Sequence, residues 1–468
     1  MVRLRRTRQD PEGFRPRVVV VGAGFGGLSC ARALAEAPVE VTLVDRRNYH
    51  TFQPLLYQVA TAGLDAESIA YAVRGMVHRH PALDFRVGTV VGADLDGRHI
   101  ELTDGERLAY DYLVVAAGAV TADFGIPGVA EHSFPLKTLT DAMRLRAHLL
   151  EQFEWADAHR RDEDPAATTV VVVGGGPTGV ELCGGLSELI HGVLARDHPH
   201  LDLTESRIVL VEATDRLLGG FSAASAESAR ATLESRGVEV RLGSAVEEVT
   251  AEGVRLAGGE FVPTRTLVWT AGVRANPLGA ALGLYLSRAG RVEVGPDLSV
   301  PGRPEVFVVG DLAAASDEQG QVYPQLAPVA MQQGRHVAKV IGGRLTGRSP
   351  GRFHYVNKGV MATIGRNAAV AELPFGIRVR GFPAWIAWLA LHLVYLIGFR
   401  NRATVLLDWS WNYLTYQRGA RLIVPVLTDD IGDQLARRRP PFDDDLEPRP
   451  SGSDGSPAGS PPAAARLP

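Results

Sequence analysis

Apolar positions in this chain gather in short β-branched runs that end on glycine, and one such arrangement occurs twice. Residues 18–36 read VVVVGAGFGGLSCARALAE, and residues 170–188 read VVVVGGGPTGVELCGGLSE. Four consecutive valines before a glycine cluster predict a strand covered on both faces, and the stretch behind each cluster has helix-forming composition. A second apolar strand ended by an acid follows each helix, VEVTLVD at 39–45 and RIVLVE at 207–212. Later strands run into Ala-Gly, YDYLVVAAG at 110–118 and TRTLVWTAG at 264–272. The repeat predicts an α/β fold with two Rossmann-like dinucleotide-binding domains, each on a parallel sheet. EVFVVGD at 305–311 supplies one more strand to the first unit, which makes that domain discontinuous with the second inserted into it.

From about residue 350 the pattern becomes aromatic, basic and apolar. FPAWIAWLALHLVYLIGF (382–399) runs 18 residues with only His392 strongly polar, at the lower edge of what spans a bilayer. Trp385, Trp388, Trp409 and Trp411 lie in or after this run, and Arg378, Arg380, Arg400, Arg402, Arg418 and Arg421 flank or follow it. RNRATVLLDWSWNYLTYQRGARL (400–422) then mixes apolar and basic positions, as an interfacial helix does. Three readings stand: a buried core or dimer helix, a single span at about 382–399, and an anchor lying in the membrane plane. Rings beside arginines favour the last, with the arginines toward anionic lipid on the cytoplasmic side. The resulting division is a disordered lead at 1–15, a first unit at 16–125 and 300–345, and a second unit at 165–290. A membrane-associating region at 350–440 and a Pro/Gly/Ser/Ala-rich disordered tail at 441–468 complete it.

A length of 468 residues is too great for one ordinary core, and a net charge of −4 argues against nucleic acid as a partner. The basic start MVRLRRTRQDPEGF has no apolar stretch behind it and does not read as a signal peptide. Two cysteines, Cys30 and Cys183, are too few and too far apart for a cysteine-only zinc site, so no metal is expected. They fall at equivalent places in the two repeats, as small buried residues at helix–sheet contacts. Dithiol redox chemistry, which needs a cysteine pair, is thereby excluded.

Gly22, Gly24 and Gly27, and again Gly174, Gly176 and Gly179, fit GxGxxG. The first glycine makes the turn, the second admits a pyrophosphate to the backbone, and the third lets helix and strand approach. Asp45 and Glu212 end the next strands, where a carboxylate accepts from a ribose 2′-OH. Two dinucleotides side by side imply electron transfer, with a flavin and a nicotinamide as the pairing. An acid at the second site would repel a 2′-phosphate, which favours NADH over NADPH, although Arg216 stands nearby.

NYHTFQPLLYQVATAGL (48–64), GGGPTGVELCGGLSEL (174–189), WTAGVRANPL (269–278), VFVVGDLAA (306–314) and APVAMQQGRHVAKVI (327–341) together resemble the type II NADH:quinone oxidoreductases. These are single-subunit, non-proton-pumping flavoproteins bound to one membrane face. The resemblance covers about residues 16–425. It implies FAD in the first unit and NADH in the second, with hydride passing from NADH to FAD and electrons then to a membrane quinone. It places Gly22, Gly24, Phe25, Gly26 and Gly27 at the FAD pyrophosphate, Asp45 at the adenosine ribose and Asp311 at the ribityl chain. It puts Glu212 at the NADH ribose. Gln53, Gly118, Gly310 and Ala327 join the flavin set, and Gly272 the nicotinamide set.

Glu181, beside the second loop, corresponds to a family glutamate near flavin, nicotinamide and quinone, and a proton relay to reduced quinone is its implied part. Gln332 falls on the later glutamine of the family's AQxxxQ quinone pattern, while Pro328 replaces the earlier one. His50, Gln53 and Tyr57 either line the flavin or pack their loop. The implied partners are NADH, a membrane quinone and the membrane surface, with a homodimer left open. Two alternatives remain: a soluble NADH-dependent reductase of a small redox protein, and a non-catalytic redox-sensing module.

Overall fold

The structure, a computed structural model, describes residues 15–159, 164–287, 289–348, 351–415 and 418–424. The basic lead and the 441–468 tail therefore lie outside the described residues, apart from Arg15. Two parallel sheets carry the repeat. The first has the spatial order Ser299–Val300, Arg303–Val308, Tyr112–Val115, Arg17–Val21, Glu40–Asp45, Leu83–Val87, and only the edge pair Ser299–Val300 with Arg303–Val308 is antiparallel. The distant strand Arg303–Val308 thus pairs with Tyr112–Val115 in register Val306 to Leu113. The second sheet runs Phe134–Pro135, Thr266–Trp269, Val170–Val173, Ile208–Val211, Val238–Arg241, all parallel. Val18 to Val21 and Val170 to Val173 are all buried, as strands covered on both faces must be.

Each glycine cluster opens a helix, Phe25–Leu34 and Pro177–Ser187. Helix Phe25–Leu34 packs against Ala327–Leu345 at very close range. A Cβ on Gly334 would lie 2.2 Å from the Gly26 carbonyl oxygen and 3.0 Å from the Cys30 nitrogen. Cys30 therefore sits at a helix–helix crossing, and it shares its core cluster with the sheet residues Val18, Val20 and Val114. Burial pushes the Cys30 thiol up to about 12, and Cys183 higher still, so neither is a nucleophile.

Three antiparallel strands, Val360–Thr363, Ala369–Glu372 and Arg378–Arg380, form a small separate sheet. It seats on the second glycine-loop helix, where a Cβ on Gly184 would come 2.7 Å from the Ile364 backbone carbon. Two helices follow, Phe382–Tyr395 and Phe399–Thr415. The 382–399 run is thus not one span. Leu396 is extended and Gly398 has φ +90°, so the helix stops after 14 residues. That is about 21 Å of helix against roughly 30 Å of hydrocarbon. No described helix is long and apolar enough to cross a membrane.

Both helices have two faces. Ala384, Trp388, Leu396 and Val405 are buried, and all but Ala384 belong to the largest core cluster. Phe399, Leu407, Trp411 and Leu414 are exposed. The arginines are more committed than their composition suggested. Arg402 donates to the carbonyls of Val394 and Leu396, Arg418 is buried against Glu188, and Arg421 pairs with Asp197.

Candidate functional site

The two glycine loops are built alike. Gly22 (φ +103°) and Gly174 (φ +110°) leave their strands in a conformation that side chains oppose. A Cβ on Gly22 would also meet the Ala116 carbonyl oxygen at 2.4 Å, and one on Gly174 the Ala271 Cα at 2.7 Å. Cβ atoms on Gly27 and Gly179 would lie 1.8 and 1.9 Å from the carbonyl oxygens of Gly22 and Gly174. Only the middle glycines look onto open space, with nothing within 4 Å of a Cβ on Gly24 or Gly176. Both sit at the N-cap of their helix, where unpaired N–H groups and the helix dipole favour an anion.

The acids at the strand tips do more than was expected of them. Asp45 Oδ2 accepts from Ala23 N–H at 2.6 Å and Oδ1 from Arg47 N–H at 2.8 Å. Glu212 Oε2 accepts from Gly175 N–H at 2.6 Å, and Oε1 from the Thr214 N–H and hydroxyl, both at 2.8 Å. Each carboxylate clamps the residue after the first loop glycine, in the same place in both repeats. Burial pushes the Asp45 pKa up, while the Ala23 and Arg47 amides and the charges of Arg47 and Arg46 oppose it.

A cleft of about 430 Å³ runs along the first sheet and is lined by Gly22, Gly24, Phe25, Gly26, Asp45, Gln53, Gly118, Gly310, Asp311 and Ala327. His50 is on its wall, 2.8 Å through Nδ1 from the Ala23 carbonyl. Its Nε2 is buried and has no hydrogen-bond partner among the described residues, and burial lowers its pKa, so the ring stays neutral. An open glycine cradle and an orphaned imidazole nitrogen fit a flavin dinucleotide. The second loop, with its own open cradle and a clamped acid, fits NADH.

Next to this cleft lies a cavity of about 190 Å³ that holds Tyr57, Glu181 and Gly272. Gln53, Thr121 and Lys137 line both. Lys137 also stands 3.6 Å from Asp311, a pairing that the sequence reading missed because a lone lysine carries no motif. A third cavity, about 830 Å³ and mostly apolar, opens between the two C-terminal helices and the second unit. Tyr57 lines it as well, so this ring separates the two spaces.

Glu181 is 8% exposed. Burial pushes its pKa up to about 8, against weaker opposition from the Thr363 N–H at 3.3 Å and the nearby Trp388 indole. The Trp388 Nε1 itself makes no full hydrogen bond among the described residues. Gln332 stands apart from this group. Its Nε2 donates to the Val356 carbonyl at 3.0 Å and its Oε1 accepts from the Val356 N–H at 2.9 Å. Gln332, expected at the quinone pocket, lines none of the three cavities, because the Val356 backbone occupies both ends of its amide. Gln333 is fully buried, and its Oε1 accepts from Gly310 N–H at 2.6 Å, bracing the turn that carries Asp311. Pro328 occupies the first turn of its helix, where a missing N–H costs nothing.

A discontinuous first sheet, an inserted second sheet and two open glycine cradles define a two-dinucleotide flavoprotein of the pyridine nucleotide-disulphide oxidoreductase fold. Residues 16–334 match the family model described as pyridine nucleotide-disulphide oxidoreductase, and residues 357–418 match that described as the NDH2 C-terminal domain. The chain is 39% identical over 431 residues to the type II NADH:quinone oxidoreductase Ndh of Mycobacterium tuberculosis, covering 88% of this chain and 91% of that one. With NdhA of the same organism it shares 40% over 453 residues, 91% of this chain and 95% of the other. Among solved structures, NDH2 from Plasmodium falciparum in complex with NADH superimposes with a TM-score of 0.80 at 18% identity, over 88% of this chain and 100% of that one. The chain belongs to the type II NADH:quinone oxidoreductases, which are FAD-dependent enzymes. Its membership disfavours both the soluble-reductase and the sensor alternatives.

Proposed function

We propose that the chain passes electrons from NADH to quinone along the line of the three cavities. FAD occupies the 430 Å³ cleft, held by Gly22, Gly24, Phe25, Gly26, Gly27, Asp45, Gln53, Gly118, Gly310, Asp311 and Ala327. NADH lies on Gly174, Gly176, Gly179 and Glu212, with its nicotinamide end toward Gly272 and the 190 Å³ cavity. Bound FAD supplies two-electron acceptance from NADH and delivery to quinone. Residues 16–125 with 300–345 form the FAD unit, and 165–290 the NADH unit. The quinone takes the apolar 830 Å³ cavity.

Glu181 carries this reading, because a carboxyl with a pKa near 8, lining the 190 Å³ cavity and set against Thr363 and Trp388 of the 830 Å³ cavity wall, is protonated at neutral pH. It supplies a proton to the quinone site as the quinone gains electrons, and takes another from solvent. Gln332 has a positioning part, holding Val356 in place. The exposed face of Leu407, Trp411 and Leu414 lies in the membrane interface, and the exposed Arg378 and Arg400 meet anionic lipid on the cytoplasmic side. The test compares acceptors. Glu181→Gln should slow quinone turnover by roughly 10²- to 10⁴-fold and ferricyanide turnover far less. Equal losses would place Glu181 on the NADH half-reaction instead.

A further inference from the structure

Gln58, on the short helix Leu56–Ala60, and Trp409, on the helix Phe399–Thr415, bridge two segments at the active site. Gln58 Nε2 is 2.8 Å from Tyr57 Oη, and Gln58 Oε1 is 2.7 Å from Trp409 Nε1. An indole nitrogen can only donate, so the amide oxygen faces Trp409 and the amide N–H faces Tyr57. Tyr57 Oη therefore accepts in this bond, and its own proton has no acceptor among the described residues. The ring is 6% exposed and lines both the apolar cavity and the cavity of Glu181. A buried O–H without an acceptor is costly, and an oxygen of a molecule in the apolar cavity would satisfy it. Burial holds the phenol well above its ordinary pKa, and Glu181 raises it further once ionised, so the phenol remains a donor throughout the working pH range.

We propose that Tyr57 donates a hydrogen bond to a carbonyl oxygen of the quinone, and that Trp409, acting through Gln58, is the positioning residue that sets the direction of that bond. This rests on the reading that quinone occupies the 830 Å³ cavity. The helix that carries Trp409 is fixed to the segment 63–70, just after Gln58, at two further points. Asn412 Nδ2 donates to the Gly63 carbonyl at 2.9 Å, and Asn401 Nδ2 reaches the carbonyls of Glu67, Ser68 and Ala70 at 3.1–3.2 Å. The C-terminal helix is thus part of the quinone site and not solely a means of attachment. Without the indole N–H, the Gln58 amide is free to turn its oxygen toward Tyr57 and capture the phenol proton.

The experiment uses the full-length, FAD-loaded enzyme and a short-chain ubiquinone analogue, with each quinone rate divided by the ferricyanide rate of the same preparation. Tyr57→Phe should lower that ratio about tenfold, the size of one neutral hydrogen bond. Trp409→Phe should lower it about threefold, because only part of the population turns the amide. Trp409→Phe combined with Gln58→Met should recover above Trp409→Phe alone, since methionine cannot capture the proton. A double variant worse than the single one means that Trp409 merely packs, and the positioning role is overturned. Gly192→Phe tests the cavity itself, because a side chain there enters open space on the cavity wall. It should raise the quinone KM at least about tenfold. Wild-type quinone kinetics in Gly192→Phe would overturn the cavity reading and the Tyr57 contact with it. A raised KM there, beside a wild-type ratio in Tyr57→Phe, would overturn the Tyr57 contact alone.

Discussion

Replacing Glu181 by glutamine should stabilise the folded protein, and increasingly so as pH rises. The carboxyl is buried, and its pKa is raised from an ordinary 4.5 to about 8. Below pH 4.5 the group is protonated in both folded and unfolded chains and contributes no pH dependence. Between 4.5 and 8 the unfolded chain releases the proton while the folded one keeps it, so the folded state binds more protons and its stability falls as pH rises. At pH 7 this spans two and a half pH units at about 1.4 kcal/mol each, or about 3.5 kcal/mol. Above pH 8 both states are ionised and the penalty levels off. Glutamine has nearly the same shape and no proton to lose, so the variant avoids this cost.

Differential scanning calorimetry of the FAD-loaded wild type and Glu181→Gln, from pH 5 to pH 9, measures the effect. The two midpoints should nearly coincide at pH 5 and separate by several degrees at pH 8, with the variant higher. A separation independent of pH, or one that shrinks toward pH 8, would mean that Glu181 is not held neutral by burial. The proton-donor role would then lose its physical basis as well.

Gly24→Val should sharply reduce the flavin absorbance per chain while leaving the fold intact, because a Cβ at this position enters the open phosphate cradle with no protein atom within 4 Å; normal flavin content would move FAD elsewhere. Glu212→Gln should lower the NADH to NADPH preference measured as a ratio of kcat/KM, by about tenfold if one charge-assisted hydrogen bond is lost; an unchanged ratio would remove Glu212 from the ribose. Leu407→Glu with Leu414→Glu should weaken flotation with anionic vesicles while short-chain quinone activity persists, since both side chains face outward. Truncation before Phe382 should instead unfold part of the protein, because Trp388, Leu396 and Val405 belong to the main core.

Local patterns in the chain determined the repeated units, because the valine strands, the turn glycines and the acid tips each obey short-range rules. A strand buried on both faces reads as apolar throughout, and a glycine turn before a helix reads as GxGxxG. The position of Asp45 and Glu212 at their strand ends was legible for the same reason. Their clamp on Ala23 and Gly175 was not, since it depends on how the neighbouring strand places a backbone N–H. The apolar run at 382–399 was the least legible part. Hydropathy counts apolar residues, but Leu396 and Gly398 break the helix, and contacts with the core decide which face is covered. Tertiary structure alone brought Glu181 to Thr363 across 182 positions, and Trp409 to Gln58 across 351. No local spacing encodes such pairs. Burial by remote segments shifts the Glu181 proton, and an indole from the last helix orients the Gln58 amide.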